Sequence, residues 1–126
     1  MGYEIEEYYA RIDSGRLDDA TKMLAADVEF VMALPTGVNR DSGRAAMLAY
    51  LSGRPKVDRK HRLVRVAADG DTQFAYGDVT EHGGTLTGHF LGAMHLDRDG
   101  LIDRYQVSFI PDHALVPQVG DIEDLE

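Results

Sequence analysis

Apolar residues recur at helical spacing near the start of the chain, where Ile5, Tyr8, Tyr9 and Ile12 form one stripe. Ser14-Gly15 ends that helix, because glycine tolerates the left-handed exit conformation. Leu17, Ala20 and Leu24 line one face of a second, short helix. Val28, Phe30 and Met32 then alternate in a first strand that is broken at Leu34-Pro35-Thr36-Gly37. A polar loop from Thr36-Gly37 to Ser42-Gly43 leads into a third helix. Asp41-Ser42 offer it N-cap side chains, and it runs through Met47, Leu48 and Leu51 to Ser52-Gly53.

From Arg59 onward the pattern becomes that of strands. Four are predicted: Arg59–Ala67, Thr72–Glu81, Leu86–Leu96 and Leu101–Ile110, the last ended by Pro111. Turns fall at Asp69-Gly70-Asp71, His82-Gly83-Gly84-Thr85 and Asp97-Arg98-Asp99-Gly100. Helices followed by an antiparallel meander predict an α+β domain with its helices on one face of the sheet.

A two-residue turn at Gly83-Gly84 sets Asp78 opposite His89. The simplest register through the last turn sets Ser108 opposite His89, Gly92 opposite Tyr105, Phe90 opposite Val107 and Gly88 opposite Phe109. One face then carries an Asp-His-Ser row, and the other pairs glycines with aromatic rings, leaving room for close packing or a ligand. A triad also needs an oxyanion site and a held nucleophile. No nucleophile elbow accompanies the row, so it reads as a polar ladder on the outer face or at a dimer interface. A one-residue slip would turn His89 and His95 inward instead.

Three segments in this order, IDSGRLDDATKMLAADVEF, KHRLVRVAADGDTQFAYGDV and HLDRDGLIDRYQVSF, carry a resemblance. The chain resembles the NTF2-like superfamily, and within it the SnoaL-like branch, over nearly all of residues 3 to 110. That resemblance implies an NTF2-like cone, in which a strongly curved, mainly antiparallel sheet wraps around three helices and an interior pocket. It also implies homodimers paired through the sheet. Residues 1–110 make up the domain and 111–126 an acidic tail. The fold serves isomerases, dehydratases, cyclases, hydrolases and binding modules, so it does not imply one chemistry.

Asp13 and Tyr9 are four residues apart on the first helix and share a face. A carboxyl at the edge of the buried stripe suits a general base, or a group that orients one. The alternative is a structural acid bonded to backbone amides of the second helix. His61, on the first long strand, is the candidate partner, since imidazole changes protonation near neutral pH; the alternative is an exposed or satisfied histidine. In scytalone dehydratase-like and related SnoaL-like members, an Asp at the end of the first helix faces a His on this strand across the pocket. Asp13 and His61 match those positions. The resemblance thus implies catalytic roles for Asp13 and His61, with Tyr8, Tyr9, Met32, Phe90, Tyr105 and Val107 binding a small, largely apolar organic molecule.

Departures narrow the chemistry. Ketosteroid isomerase-like members share the helix-one Tyr, matched by Tyr8, but their general-base Asp would fall near Met32 and their second oxyanion acid near Gly92. Limonene epoxide hydrolase-like and polyketide cyclase-like members use an Asp on the last strand, where this chain reads Tyr105-Gln106-Val107. None of these three activities is expected. What remains is cofactor-free dehydration, isomerisation or cyclisation, with Tyr9 or Tyr105 on a substrate oxygen. The alternatives are a non-catalytic ligand-binding or dimerisation module, and an adaptor that docks another protein through the sheet.

Composition adds bounds. With 126 residues, 44% apolar and 28% charged, the chain is one globular domain with a real core. The absence of cysteine excludes disulfides, thiol catalysis and thiolate metal sites, and it fits a reducing compartment. The acidic, helical N-terminus is no signal peptide and no apolar run could span a bilayer, so no membrane partner and a cytoplasmic location are expected. His82, His89, His95 and His113 are too scattered to suggest a metal. No glycine-rich phosphate loop or dinucleotide fingerprint suggests a cofactor. The net charge of -9 argues against nucleic acid. Arg54, Lys56, Arg59, Lys60, Arg62 and Arg65 nevertheless cluster, and they read as a solvated strand face rather than as a dock for the acidic tail.

Overall fold

The computed structural model describes residues 2–117. Its elements are α1 (Glu4–Asp13), α2 (Leu17–Thr21), β1 (Leu24–Leu34), β2 (Gly37–Ser42), α3 (Arg44–Ser52), β3 (Lys60–Asp69), β4 (Thr72–Glu81), β5 (Thr85–Leu96) and β6 (Ile102–Ile110). The strands form one sheet in the order β2-β1-β6-β5-β4-β3. Every neighbouring pair is antiparallel except β1 with β6. This is the expected α+β architecture, with three helices against a curved, mainly antiparallel sheet.

The α1 stripe is what joins the two layers. Ile5, Tyr8, Tyr9 and Ile12 are all buried, and they share a core with Leu24, Val28, Met47, Met94 and Ile102. The N-terminus of α1 is satisfied from the sheet: buried Gln73 accepts the Ile5 N–H at 3.0 Å and donates to Glu4 at 2.6 Å. Curvature enters through irregular pairing. A bulge between Leu63 and Arg65 drives the Arg62 carbonyl into the space a side chain would occupy at Gly77, so only glycine fits there. No helix among the described residues is long and apolar enough to cross a membrane.

Four local expectations are corrected. Residues 37–42 are not a loop but β2, a fully exposed edge strand paired with β1. Helix α3 therefore starts at Arg44 behind Gly43, and Asp41 and Ser42 belong to the strand instead of capping the helix. Leu24 opens β1 rather than closing α2. The β5–β6 register is displaced by two residues: Gly92 pairs with Val107, Phe90 with Phe109, and Leu91 with Ser108. A longer turn and a bulge between His95 and Leu96 cause the displacement. Because the displacement is an even number of residues, each side chain keeps its predicted face.

Asp78 does lie opposite His89, but for a different reason. The turn holds three residues, His82-Gly83-Gly84, and a bulge between Val79 and Thr80 restores the alignment. The acidic tail begins on the outer face, where the Leu115 N–H donates to the Tyr76 hydroxyl. Residues 118–126, most of the expected tail, lie outside the described residues.

Candidate functional site

A cavity of about 350 Å³ lies between the helices and the concave face of the sheet. From α1 it receives Tyr8, Tyr9 and Ile12; from the end of α3 and beyond, Tyr50, Leu51, Arg54 and Pro55; from the start of β3 and the residue before it, Arg59 and His61. The sheet contributes Met32, Val79, Glu81, Phe90, Tyr105, Val107 and Phe109. All six residues expected to bind a ligand, Tyr8, Tyr9, Met32, Phe90, Tyr105 and Val107, are on this wall, together with His61. Asp13 stands behind the His61 ring rather than on the wall itself.

Asp13 occupies the last position of α1, and β3 passes beside it as the edge of the sheet. Its Oδ1 lies 2.7 Å from His61 Nδ1, and its Oδ2 accepts the His61 backbone N–H at 2.5 Å. Lys60 adds a bond from Nζ to the Asp13 carbonyl at 2.6 Å. Asp13 thus binds backbone, as the structural alternative expects, but the backbone of β3 rather than of α2. A carboxylate only accepts, so Nδ1 carries a hydrogen, and in the neutral ring the lone pair then falls on Nε2. The ring is held on both sides, tilted against Tyr9 at 4.7 Å between centroids and edge-on to Phe90 at 5.1 Å.

Three phenols share the cavity wall with the imidazole. The hydroxyls of Tyr9 and Tyr105 are hydrogen-bonded to each other, and the Tyr8 hydroxyl is buried without a partner among the described residues. Burial pushes all three pKa values well above the ordinary tyrosine range; the Tyr105 hydrogen bond partly offsets this for Tyr9. They are therefore neutral donors at physiological pH. Gly92 makes the arrangement possible, since a Cβ there would sit 2.9 Å from the Tyr9 hydroxyl.

The basic cluster does not form one solvated face. Arg59 shares the inward parity of His61 and grips Glu81, its Nε 3.0 Å from the carboxylate. Arg54, which follows α3, lines the cavity. Sequence reasoning missed both as site residues. The two-residue step from His61 could have located Arg59; Arg54 has no strand periodicity to reveal it.

The outer face carries His89 and His95. Asp78 joins His89 at 3.0 Å and the Arg62 guanidinium, and Tyr76 stacks parallel to His89 at 6.4 Å. Ser108 lies opposite Leu91, so the row of Asp78, His89 and Ser108 across three strands does not form; a polar ladder takes its place. His95 sits between Asp103 and Asp71, at 2.5 and 2.9 Å.

A family model described as "SnoaL-like domain" matches residues 5–105. Comparison with curated proteins finds no significant match. Among solved structures, an NTF-2 like protein of unknown function from Burkholderia xenovorans is similar, with a TM-score of 0.72 at 17% identity over 93% of each chain. An LEH-like epoxide hydrolase from M. tuberculosis has a TM-score of 0.68 at 18% identity, covering 96% of this chain and 84% of that one. The epoxide hydrolase/cyclase-like enzyme SalBIII, of pyran ring formation in the polyether salinomycin, has a TM-score of 0.68 at 17% identity, covering 94% and 90%. At these identities the likeness is one of fold.

Proposed function

The chain belongs to the SnoaL-like domain family, and we propose that its cavity binds a small, largely apolar organic molecule and moves a proton on it without a cofactor. One observation carries this reading: an imidazole on the cavity wall is held through Nδ1 by a carboxylate at 2.7 Å, which leaves Nε2 to act.

In this reading His61 Nε2 removes a proton from a carbon next to a carbonyl. The electron pair moves onto the carbonyl oxygen, which accepts a hydrogen bond from Tyr8 or from the Tyr9–Tyr105 pair. Asp13 keeps the ring in place and favours the imidazolium that forms. Where the substrate carries a β,γ double bond, delivery of that proton to the γ-carbon of the dienolate shifts the double bond and completes an isomerisation. Delivery to a hydroxyl on the β-carbon releases water as the double bond forms, completing a dehydration. Convergent polar groups in an otherwise apolar cavity support this chemistry over passive binding by a non-catalytic module.

The test is exchange of the α-protons of 2-tetralone in D2O, followed by NMR. Wild-type protein should accelerate exchange, and His61→Gln should reduce the acceleration by about 10²–10⁴-fold. Equal rates for the two proteins would overturn the assignment.

A second observation favours a homodimer through the outer sheet face. Phe74, Leu91 and Ile110 lie on adjacent strands there, 41%, 49% and 48% exposed, more apolar surface than a sheet facing only water needs. Light scattering should give twice the chain mass, and Leu91→Lys should shift it toward the monomer. A wild-type monomer at every concentration would dismiss the idea.

A further inference from the structure

The cavity holds a cation that the proton-transfer steps do not use. Among the described residues, Arg54 Nε is sealed from solvent without a hydrogen-bond acceptor, and no carboxylate forms an ion pair with this guanidinium. Glu81 is the one acid on the cavity wall, and Arg59 already holds it, with Nε and a terminal nitrogen each 3.0 Å from the carboxylate. Among the described residues the wall therefore carries one positive charge without an ion-pair partner, in a chain whose net charge is -9.

Burial, followed by repulsion from Arg59, lowers the Arg54 pKa. A guanidinium is basic enough to stay protonated at neutral pH all the same. Its Nε is shut off from water without an acceptor, which is unfavourable, and a ligand carrying a negative charge would supply one. Close by, the Tyr8 hydroxyl is also buried and unpartnered, and it feels the Arg54 charge. Guanidinium and neutral phenol both offer hydrogens, and the matching group is an oxygen anion.

We propose that the ligand is an apolar acid, a molecule with an aromatic or alicyclic body and one carboxylate, which binds between Arg54 and Tyr8. The proposal rests on the cavity being a ligand site and names the class of molecule it takes. A carboxylate fits better than a phosphoryl group for two reasons. Only one positive charge is spare, and Arg54 follows the C-terminal end of α3, whose partial negative charge disfavours a dianion. The planar fork of the guanidinium also matches the two carboxylate oxygens. Anchored there, the ligand would present its body to the His61 ring.

Isothermal titration with trans-cinnamate and with its methyl ester tests this directly. Wild-type protein should bind the acid at least tenfold more tightly than the ester. Arg54→Met, which keeps an apolar stem, should lose that preference and melt at a higher temperature without ligand. Arg54→Lys should retain part of the preference. If Arg54→Met does not fold, the wild-type acid–ester comparison and the lysine variant still decide. An ester bound as tightly as the acid, or cinnamate bound equally by wild type and Arg54→Met, overturns the anionic ligand and leaves the binding cavity standing. Binding of neither molecule overturns both.

Discussion

One carboxylate holds two parts of one residue: Asp13 takes the His61 backbone N–H on Oδ2 at 2.5 Å and the His61 ring Nδ1 on Oδ1 at 2.7 Å. Structure and chemistry can therefore be separated by substitution. Asp13→Ala leaves both donors without a partner and should destabilise the protein by about 1–3 kcal/mol in urea denaturation. Asp13→Asn keeps an acceptor for the amide but presents an NH2 group or a weaker acceptor to the ring. It should cost less stability, yet lose proton exchange nearly as far as His61→Gln. Wild-type exchange in Asp13→Asn would remove the positioning role.

Tyr8, Tyr9 and Tyr105 are three of the six tyrosines, and burial raises the pKa of each. The folded state thus keeps protons that the unfolded chain releases above about pH 10. Stability should be undiminished below that pH and fall as pH rises toward the folded-state values. Phenolate absorbance at 295 nm should show about half of the tyrosines ionising only as the protein unfolds. Free titration of all of them in folded protein would contradict the buried cluster.

Gly92 is the contact that lets the Tyr9 hydroxyl reach Tyr105. Gly92→Ala places a methyl group 2.9 Å from that oxygen, against a ring packed by Phe90 and His61. Overpacking of this kind should cost roughly 1–3 kcal/mol, and the displaced ring should alter the Tyr9 and His61 NMR signals. A variant with unchanged stability and unchanged signals would mean that the wall gives way freely.

At the far end of the sheet, His95 hydrogen-bonds Asp103 and Asp71 through its two ring nitrogens, which both donate only in the imidazolium. The hydrogen bond to Asp103, then that to Asp71, raises the His95 pKa above 6.5; hydrogen bonds from Thr72, then from His95, lower the Asp71 pKa below 3.8. The His95 contribution is complete below pH 6.5 and is lost as pH rises through the folded value. The Asp71 contribution is complete above pH 3.8 and is lost as pH falls. The melting temperature should therefore decline from pH 6 to pH 8.5 more in wild type than in His95→Asn. Parallel profiles would show that the link contributes nothing.

What the sequence made legible follows physical lines. The α1 stripe and the parity of the four long strands were readable because burial imprints a period on the residues themselves. β2 was not, because GVNRDS is polar and exposed, and its strand character comes from pairing with β1. Register failed at β5–β6, where a bulge adds a residue that no local pattern announces. Position and resemblance pair Asp13 with His61, and the two are in contact, but no pattern announces the backbone amide that shares the carboxylate. Arg54 was hidden in a charged run, the one kind of segment that hydrophobic periodicity ignores.

Among the described residues the sheet stays open, and β3 is one of its two edges. What fastens that edge to α1 is the same Asp13 contact that sets the imidazole. Clasp and proposed base are thus one unit. A molecule whose edge strand has frayed loses the wall of its cavity and the orientation of His61 in a single event. Local opening at β3 and loss of proton transfer should then share one free energy, so that hydrogen exchange at the His61 amide reports the fraction of molecules competent to act.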